Sequence, residues 1–167
     1  MQSKLLQIDQ MKAADWPMVA QIYKEGIETG IATFEQNIPA WEQWDQNHIK
    51  SCRLVARYND EILGWAALSA VSSRCVYGGV AEVSVYVANN GRGKKIGEQL
   101  LRKLIAESEK QGYWTLQSGV FPENAASIGL HKKCGFRKIG YRERIGQLNG
   151  VWKDNILMEK RSETIGV

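Results

Sequence analysis

Apolar positions recur along this chain with two periods, and the switches between them predict its elements. Leu5 to Ile8 reads as a first strand. Asp15 is a helix N-cap type and Pro17 suits a first turn. Trp16, Val19, Ile22, Tyr23 and Ile27 then recur at helical spacing. A second helix is predicted from near Pro39, carrying Trp41, Trp44 and Ile49. Cys52 to Arg57 and Ile62 to Leu68 are apolar runs parted by Tyr58-Asn59-Asp60-Glu61, a hairpin signal. Val80 to Val87 is the next strand. Ile96, Leu100, Leu101, Leu104 and Ile105 give a long helix one apolar face, with Gly112 as its C-cap. Trp114 to Phe121 reads as a strand, and Asn124 to Lys133 as a short helix ended by Cys134-Gly135. Phe136 to Ile145 and Trp152 to Glu159 form a closing antiparallel pair around the turn Asn149-Gly150. The order β-α-α-β-β-β-α-β-α-β-β predicts an α/β fold, α+β in some schemes. Its mixed, mostly antiparallel sheet carries helices on both faces, with the long helix as a right-handed crossover between parallel strands.

At 167 residues the chain suits one domain, 1–167, with a well-buried core. No repeat, linker or low-complexity tract divides it. No apolar run approaches the roughly 20 residues that span a bilayer, and the amphipathic start MQSKLLQIDQMKAADW has no long apolar signal core, so the expectation is a cytoplasmic protein away from membranes. Cys52, Cys75 and Cys134 are odd in number and widely spaced, and read as buried thiols. His48 and His131 are the only histidines and no H-E-x-x-H occurs, so no metal is expected. The net charge of +4 suits an anionic cofactor; its dispersal among acidic neighbours such as Glu107, Glu109 and Glu143 argues against nucleic acid.

The chemistry gathers in AEVSVYVANNGRGKKIGEQLL, Ala81 to Leu101: an apolar strand, a basic turn with two glycines, and the start of the long helix. A helix N-terminus offers unpaired N–H groups and partial positive charge, and Arg92, Lys94 and Lys95 add full charges, so the segment suits a phosphorylated ligand. A P-loop is excluded because Glu98 and Gln99, not lysine and a hydroxyl, follow Gly97. The spacing Gly91, Gly93, Gly97 is one residue too long for the dinucleotide fingerprint. The pattern R/Q-x-x-G-x-G/A fits better: Arg92, Gly93, Ile96 and Gly97 match, with Lys95 in place of its first glycine. A positive φ at Lys95 would strain the turn; a negative φ would let lysine add a charge at no cost, and the intact flanks favour the negative one.

That loop resembles the pyrophosphate loop of the GCN5-related N-acetyltransferase (GNAT) superfamily. Four further stretches resemble its phosphinothricin and methionine sulfoximine N-acetyltransferases: Thr33-Phe34-Glu35; Arg74-Cys75-Val76-Tyr77 with Ala81 to Val87; Asn124 to His131; and Gly150-Val151-Trp152-Lys153-Asp154. The resemblance covers most of the chain and implies the GNAT fold and acetyl-CoA as co-substrate.

It also implies residue roles. Glu82, in an otherwise apolar strand, becomes the general base, its pKa raised by desolvation; the alternative is a strand-edge carboxylate paired with Arg74 or a lysine. Val83 and Ser84 adjoin the substrate, and Val85, Tyr86 and Val87 pair with the pantetheine arm, the amide near Val85 polarising the thioester carbonyl. Gly93, Lys94, Lys95, Ile96, Gly97 and Glu98 wrap the pyrophosphate after Arg92. Asn124, sufficient as an N-cap, gains a cofactor contact; Lys133 reaches the phosphates or is a solvated lysine. His131 stands where many members have a tyrosine that protonates the leaving thiolate. Arg74 meets an acceptor carboxylate, although Ser72 replaces the second basic residue of relatives. Phe34, Trp65 and Tyr77 line the acceptor pocket or belong to the core. Lys153 replaces a histidine of the herbicide-detoxifying relatives, which makes a generic amino acid or methionine analogue a better-matched acceptor than phosphinothricin.

The expected function is direct acetyl transfer to the α-amine of a small amino-acid-like acceptor, with no acetyl-enzyme. Alternatives are another amine (a polyamine, an aminoglycoside, a protein N-terminus) or a non-catalytic CoA-binding module. A homodimer is expected, since the family commonly dimerises and six tryptophans exceed the evident needs of the core.

Overall fold

The computed structural model describes residues 5–167; the first four residues of the amphipathic N-terminal stretch lie outside them. The elements are β1 (Leu6–Gln10), α1 (Trp16–Glu28), α2 (Trp41–Asn47), β2 (Arg53–Tyr58), β3 (Glu61–Ala70), β4 (Val80–Val87), α3 (Ile96–Lys110), β5 (Thr115–Val120), α4 (Ala125–Lys133), β6 (Arg137–Leu148) and β7 (Val151–Arg161), with single 3-10 turns at Ala13–Asp15, Cys75–Tyr77 and Asn89–Gly91. The predicted order holds; β4 keeps its predicted ends and the others move by at most three residues.

The strands form one sheet ordered β1-β2-β3-β4-β5-β7-β6. Every neighbouring pair is antiparallel except β4–β5, which α3 joins as the sequence predicts. The last hairpin turns on Asn149 (φ 51°) and Gly150 (φ 77°), and two positive φ values in succession match its twist to that of the strands.

Two cores lie on opposite faces of the sheet. On one face, Ile96, Leu100, Leu101 and Leu104 of α3 pack with Leu54, Ala66, Leu68, Ala81, Val83 and Met158. On the other, Val19 and Ile22 of α1 and Trp44 of α2 pack on Val55, Trp65 and Ala67. Strand alternation sorts β4 between them: Ala81, Val83, Val85 and Val87 join the α3 core, and Tyr86 joins the α1–α2 core. Glu82 and Ser84 share the face of Tyr86 and stand under α1, α2 and the loop between them.

Tryptophan demand is met within the chain. Trp16, Trp41 and Trp44 pack with ring centroids 5.4–5.9 Å apart, and Trp44 meets Trp65 edge-on at 5.7 Å. Trp114 covers Gly79, where an added Cβ would stand 2.0 Å from its ring. Only Trp152, at 56% exposure, is among the exposed large hydrophobics, so the tryptophan count carries little weight for a dimer. Trp65, at 1%, is core and not pocket lining. Cys52 and Cys134 are buried as expected, but Cys75 is exposed, because its single 3-10 turn lies off the sheet. Among the described residues no helix is long and apolar enough to cross a membrane.

Arg53 fixes the end of α2. Its buried guanidinium pairs with Asp45 at 2.5 Å and donates to the carbonyls of Asp45, His48 and Ile49 at 2.8–3.1 Å. A charge withdrawn from water is tolerated when its donors are so satisfied. The result holds His48 against Trp44, rings stacked at 4.0 Å.

Candidate active site

β4 and β5 pair for three residues only: Val80 with Thr115, Ala81 with Leu116, Glu82 with Gln117. Beyond Glu82 the strands part, and the gap opens a cleft of about 960 Å³ that runs from the start of α3 to the α1–α2 loop. Ala88 N–H donates back to Leu63 O on β3 at 2.8 Å. By alternation Tyr86 and Ser84 also address β3, so the main-chain groups of Val85 and Val87 turn toward the gap.

The α3 end is built from backbone. Gly93 has φ 77° with open space where a Cβ would stand, and Lys95 is left-handed at φ 59°. The negative φ favoured for Lys95 is therefore corrected. Lysine adopts the turn that glycine would make without strain, at a cost of roughly 1–2 kcal/mol. Lys95 is the N-cap of α3 and supplies no side-chain cap. The first helical bond is Gln99 N–H to Lys95 O at 3.1 Å, leaving the amides of Ile96, Gly97 and Glu98 without intrahelical acceptors. Gly97 lets α3 close on its neighbours, since a Cβ there would stand 3.3 Å from Leu130 of α4 and 3.5 Å from Val87 of β4. Glu98 is the one acidic residue in this turn; Lys133 at 2.9 Å and Arg102 at 3.1 Å neutralise it, and those bonds hold its carboxyl below the usual range. Free amides, Arg92 and Lys95 along the wall and a compensated carboxylate fit a pyrophosphate.

Glu82 sits where the strands part. Burial pushes its carboxyl up, with the Gly119 amide and the Arg142 guanidinium pulling the other way. Asn124 caps α4, its Oδ1 accepting from Ser127 N–H at 3.1 Å. His131 is 4% exposed and edge-on to Phe136, and its Nδ1 lies 2.7 Å from Ser127 O. A carbonyl only accepts, so Nδ1 carries the proton and neutral Nε2 is an acceptor, here without a partner. Burial lowers the pKa of the ring, which opposes the imidazolium that would donate from Nε2.

The other end is built from side chains. Phe34 meets Phe121 edge-on at 4.7 Å and stands over Gly146, where a Cβ would lie 3.1 Å from its ring. Tyr23 and Tyr86 pack at 5.0 Å. The Tyr23 hydroxyl is pushed up to about 12 by burial and by Glu35, with the Thr33 hydroxyl opposing. Tyr86 is also raised, mainly by burial. His48 lines the wall, its pKa lowered chiefly by burial and its Nδ1 2.7 Å from Trp44 O.

The cleft gathers Phe34, Glu82, Val83, Ser84, Val85, Tyr86, Val87, Arg92, Gly93, Lys95, Ile96, Gly97, Glu98, Asn124, His131 and Lys133. Arg74, Tyr77, Lys94 and Lys153 do not line it. Arg74 is exposed with its guanidinium 5.5 Å from the Tyr77 ring, and Lys153 pairs with Glu123 at 3.6 Å. Sequence reasoning gave no site role to Tyr23, His48 or Asn155, which line the cleft, nor to Arg142, outside the lining but near enough to act on Glu82. A tyrosine at a core-facing helical position, and polar residues in strands from the far end of the chain, carry no local signal that they converge.

A cleft between splayed parallel strands, floored by an uncapped helix start and holding a perturbed carboxylate, suits an extended phosphorylated ligand. The sequence profile of the Acetyltransferase (GNAT) family matches residues 16–136, and the chain belongs to that family of N-acetyltransferases. It is 33% identical over 152 residues to a phosphinothricin N-acetyltransferase of Alcaligenes faecalis, covering 87% of this chain and 77% of that one. It is 31% identical over 152 residues to an L-methionine sulfoximine/L-methionine sulfone acetyltransferase of Pseudomonas aeruginosa, covering 87% and 88%. The crystal structure of a ribosomal-protein-alanine N-acetyltransferase from Brucella melitensis superposes with a TM-score of 0.87 at 33% identity, covering 94% of this chain and all of that one. A phosphinothricin acetyltransferase from Sinorhizobium meliloti, solved in complex with AcCoA, superposes at 0.83 with 25% identity over 96% and 95%.

Proposed function

We propose that this chain acetylates the α-amine of a small amino-acid-like acceptor of the methionine sulfone, methionine sulfoximine or phosphinothricin type, using acetyl-CoA, both held together in the cleft. Acetyl-CoA supplies an activated acyl carbon. The observation that carries the reading is Glu82, a carboxylate with raised pKa between the anion-binding helix start and the Phe34 pocket. Its carboxylate takes the proton of the attacking amine. The amides of the α3 turn hold the diphosphate, and the N–H of Val85, turned to the gap, serves the developing oxyanion. As the amide bond forms the thioester C–S bond breaks, and CoA leaves as the thiol with the proton that Glu82 took from the amine; neutral His131, whose Nε2 is an acceptor, does not supply it. Arg142, exposed and outside the cleft lining like Arg74, is the cation whose field reaches Glu82 and lowers its pKa.

A screen of thiol release from acetyl-CoA tests this, with methionine sulfone, methionine sulfoximine and phosphinothricin beside spermidine and an alanine-terminated peptide. Release with the first three is expected. Release with the peptide alone selects a protein N-terminus, the second reading, which the likeness to the Brucella enzyme supports. A homodimer and a cytoplasmic location complete the proposal. Exposed Tyr141, Ile145, Val151 and Trp152 on the β6–β7 arm offer apolar surface for a second copy, and light scattering checks the mass.

A further inference from the structure

Asn155 lies on β7 opposite Arg142 of β6, and lines the cleft. Its carboxamide rests over Gly119 of β5, where an added Cβ would stand 2.8 Å from Nδ2 and 3.0 Å from Oδ1. Oδ1 is shut off from solvent and has no hydrogen-bond partner. A buried carbonyl without a donor is uncommon and marks a place where a ligand donor belongs. Gly119 also faces Glu82, whose carboxyl feels its amide. Two hydrogen-bond acceptors, the Glu82 carboxylate and the Asn155 carbonyl, therefore flank Gly119 where β4 and β5 part. The carboxamide occupies the space that a Gly119 side chain would fill, and because the second torsion of asparagine is broad it can turn from there toward the cleft it lines.

We propose that Asn155 is the second anchor of the acceptor amine and restricts the enzyme to primary amines, a proposal that rests on the acetyltransferase reading above. A neutral primary amine has two N–H bonds and one lone pair. With one N–H on Glu82 and the other on Asn155 Oδ1, the lone pair has a single direction left, toward the acyl carbon. A secondary amine fills only one anchor, leaves the other buried and unpaired, and brings its alkyl group against the carboxamide.

The test compares methionine sulfone with its N-methyl derivative in wild type, Asn155→Leu, Asn155→Asp and Gly119→Ala. Wild type is expected to favour the primary amine at least hundredfold in kcat/KM. Asn155→Leu is expected to lose about tenfold on the primary amine and little on the N-methyl one, so that the preference narrows by the same factor, with an unchanged pH profile. Asn155→Asp keeps an acceptor atom and keeps the preference. Gly119→Ala, which displaces the carboxamide from the opposite wall, reproduces the leucine variant. Calorimetry of methionine sulfone binding to the CoA complex gives a readout apart from turnover, with the same tenfold weakening in Asn155→Leu. An Asn155→Leu enzyme within twofold of wild type on both amines overturns the role of Asn155 and leaves the acetyltransferase reading standing. A wild type that neither binds nor acetylates methionine sulfone overturns the acceptor reading, and this proposal with it.

Discussion

At the α3 end of the cleft the ligand-facing groups are main-chain amides of one continuous turn, whereas at the Phe34 end they are side chains from α1, the α1–α2 loop, β4 and the β6–β7 arm. Backbone amides belong to every residue, so the first end tolerates an odd side chain. Lys95 stands in the left-handed turn with the loop intact around it. Side chains are particular to their residues, so the second end can change its ligand by single substitutions. On the proposed function, cofactor binding and acceptor choice are separable because the two ends are made of different material.

The largest expected effect is on the residue between the two ends. Glu82→Gln is expected to lower kcat about 10²–10⁴-fold while CoA affinity, by calorimetry, stays within about twofold. The base must be ionised, so wild-type kcat/KM rises with pH through the raised Glu82 pKa, and that limb disappears in the variant. Stability runs in the opposite sense. A carboxyl raised by burial favours the fold when protonated, fully so below its ordinary pKa, and loses that contribution as pH rises through the folded value. Glu82→Gln is thus expected to melt above wild type at pH 7–8 and level with it near pH 4.

Phe34→Ala tests the side-chain end alone. Acceptor KM is expected to rise about tenfold through lost aromatic contact with Phe121, with the KM for acetyl-CoA unmoved. Equal effects on both substrates would end the claim that the two halves are separate.

Arg142→Gln removes a cation near Glu82 and moves the acid limb of the pH profile upward. Arg74→Gln, whose charge is not among those acting on Glu82, is expected to leave that limb in place. A shift with Arg74 instead would restore the assignment made from the resemblance.

The smallest effect tests the backbone end. Lys95→Gly relieves a left-handed lysine and is expected to stabilise the protein by about 1 kcal/mol, roughly 2–4 °C in Tm, with CoA affinity changed less than about threefold. A larger loss of affinity would show that the lysine charge, and not the amides, holds the diphosphate.

The element order, the parallel crossover and the turn at Asn149-Gly150 were legible because each depends on local periodicity or on one residue pair. Glu82 stood out as a carboxylate in an apolar strand, and the α3 turn as glycines with cations. The conformation of Lys95 was not legible, since nothing in a lysine announces its φ. Arg74 and Tyr77 carried the right residue types beside the right strand, yet both are exposed, at the start and end of the Cys75–Tyr77 turn, and outside the cleft lining. His131 was legible as a candidate; its buried ring and the hydrogen bond from Nδ1 that leaves Nε2 an acceptor were not.

The sequence by itself determined which segments become strands and helices, and that a helix start would follow a basic glycine turn, because hydrophobic period and turn chemistry act over a few residues. Tertiary structure alone decided where β4 and β5 part, which face of β4 carries Glu82, and that Asn155, seventy-three positions later, shares Gly119 with it. Those are contacts between distant segments. They are set by sheet order and packing, and no local pattern encodes them.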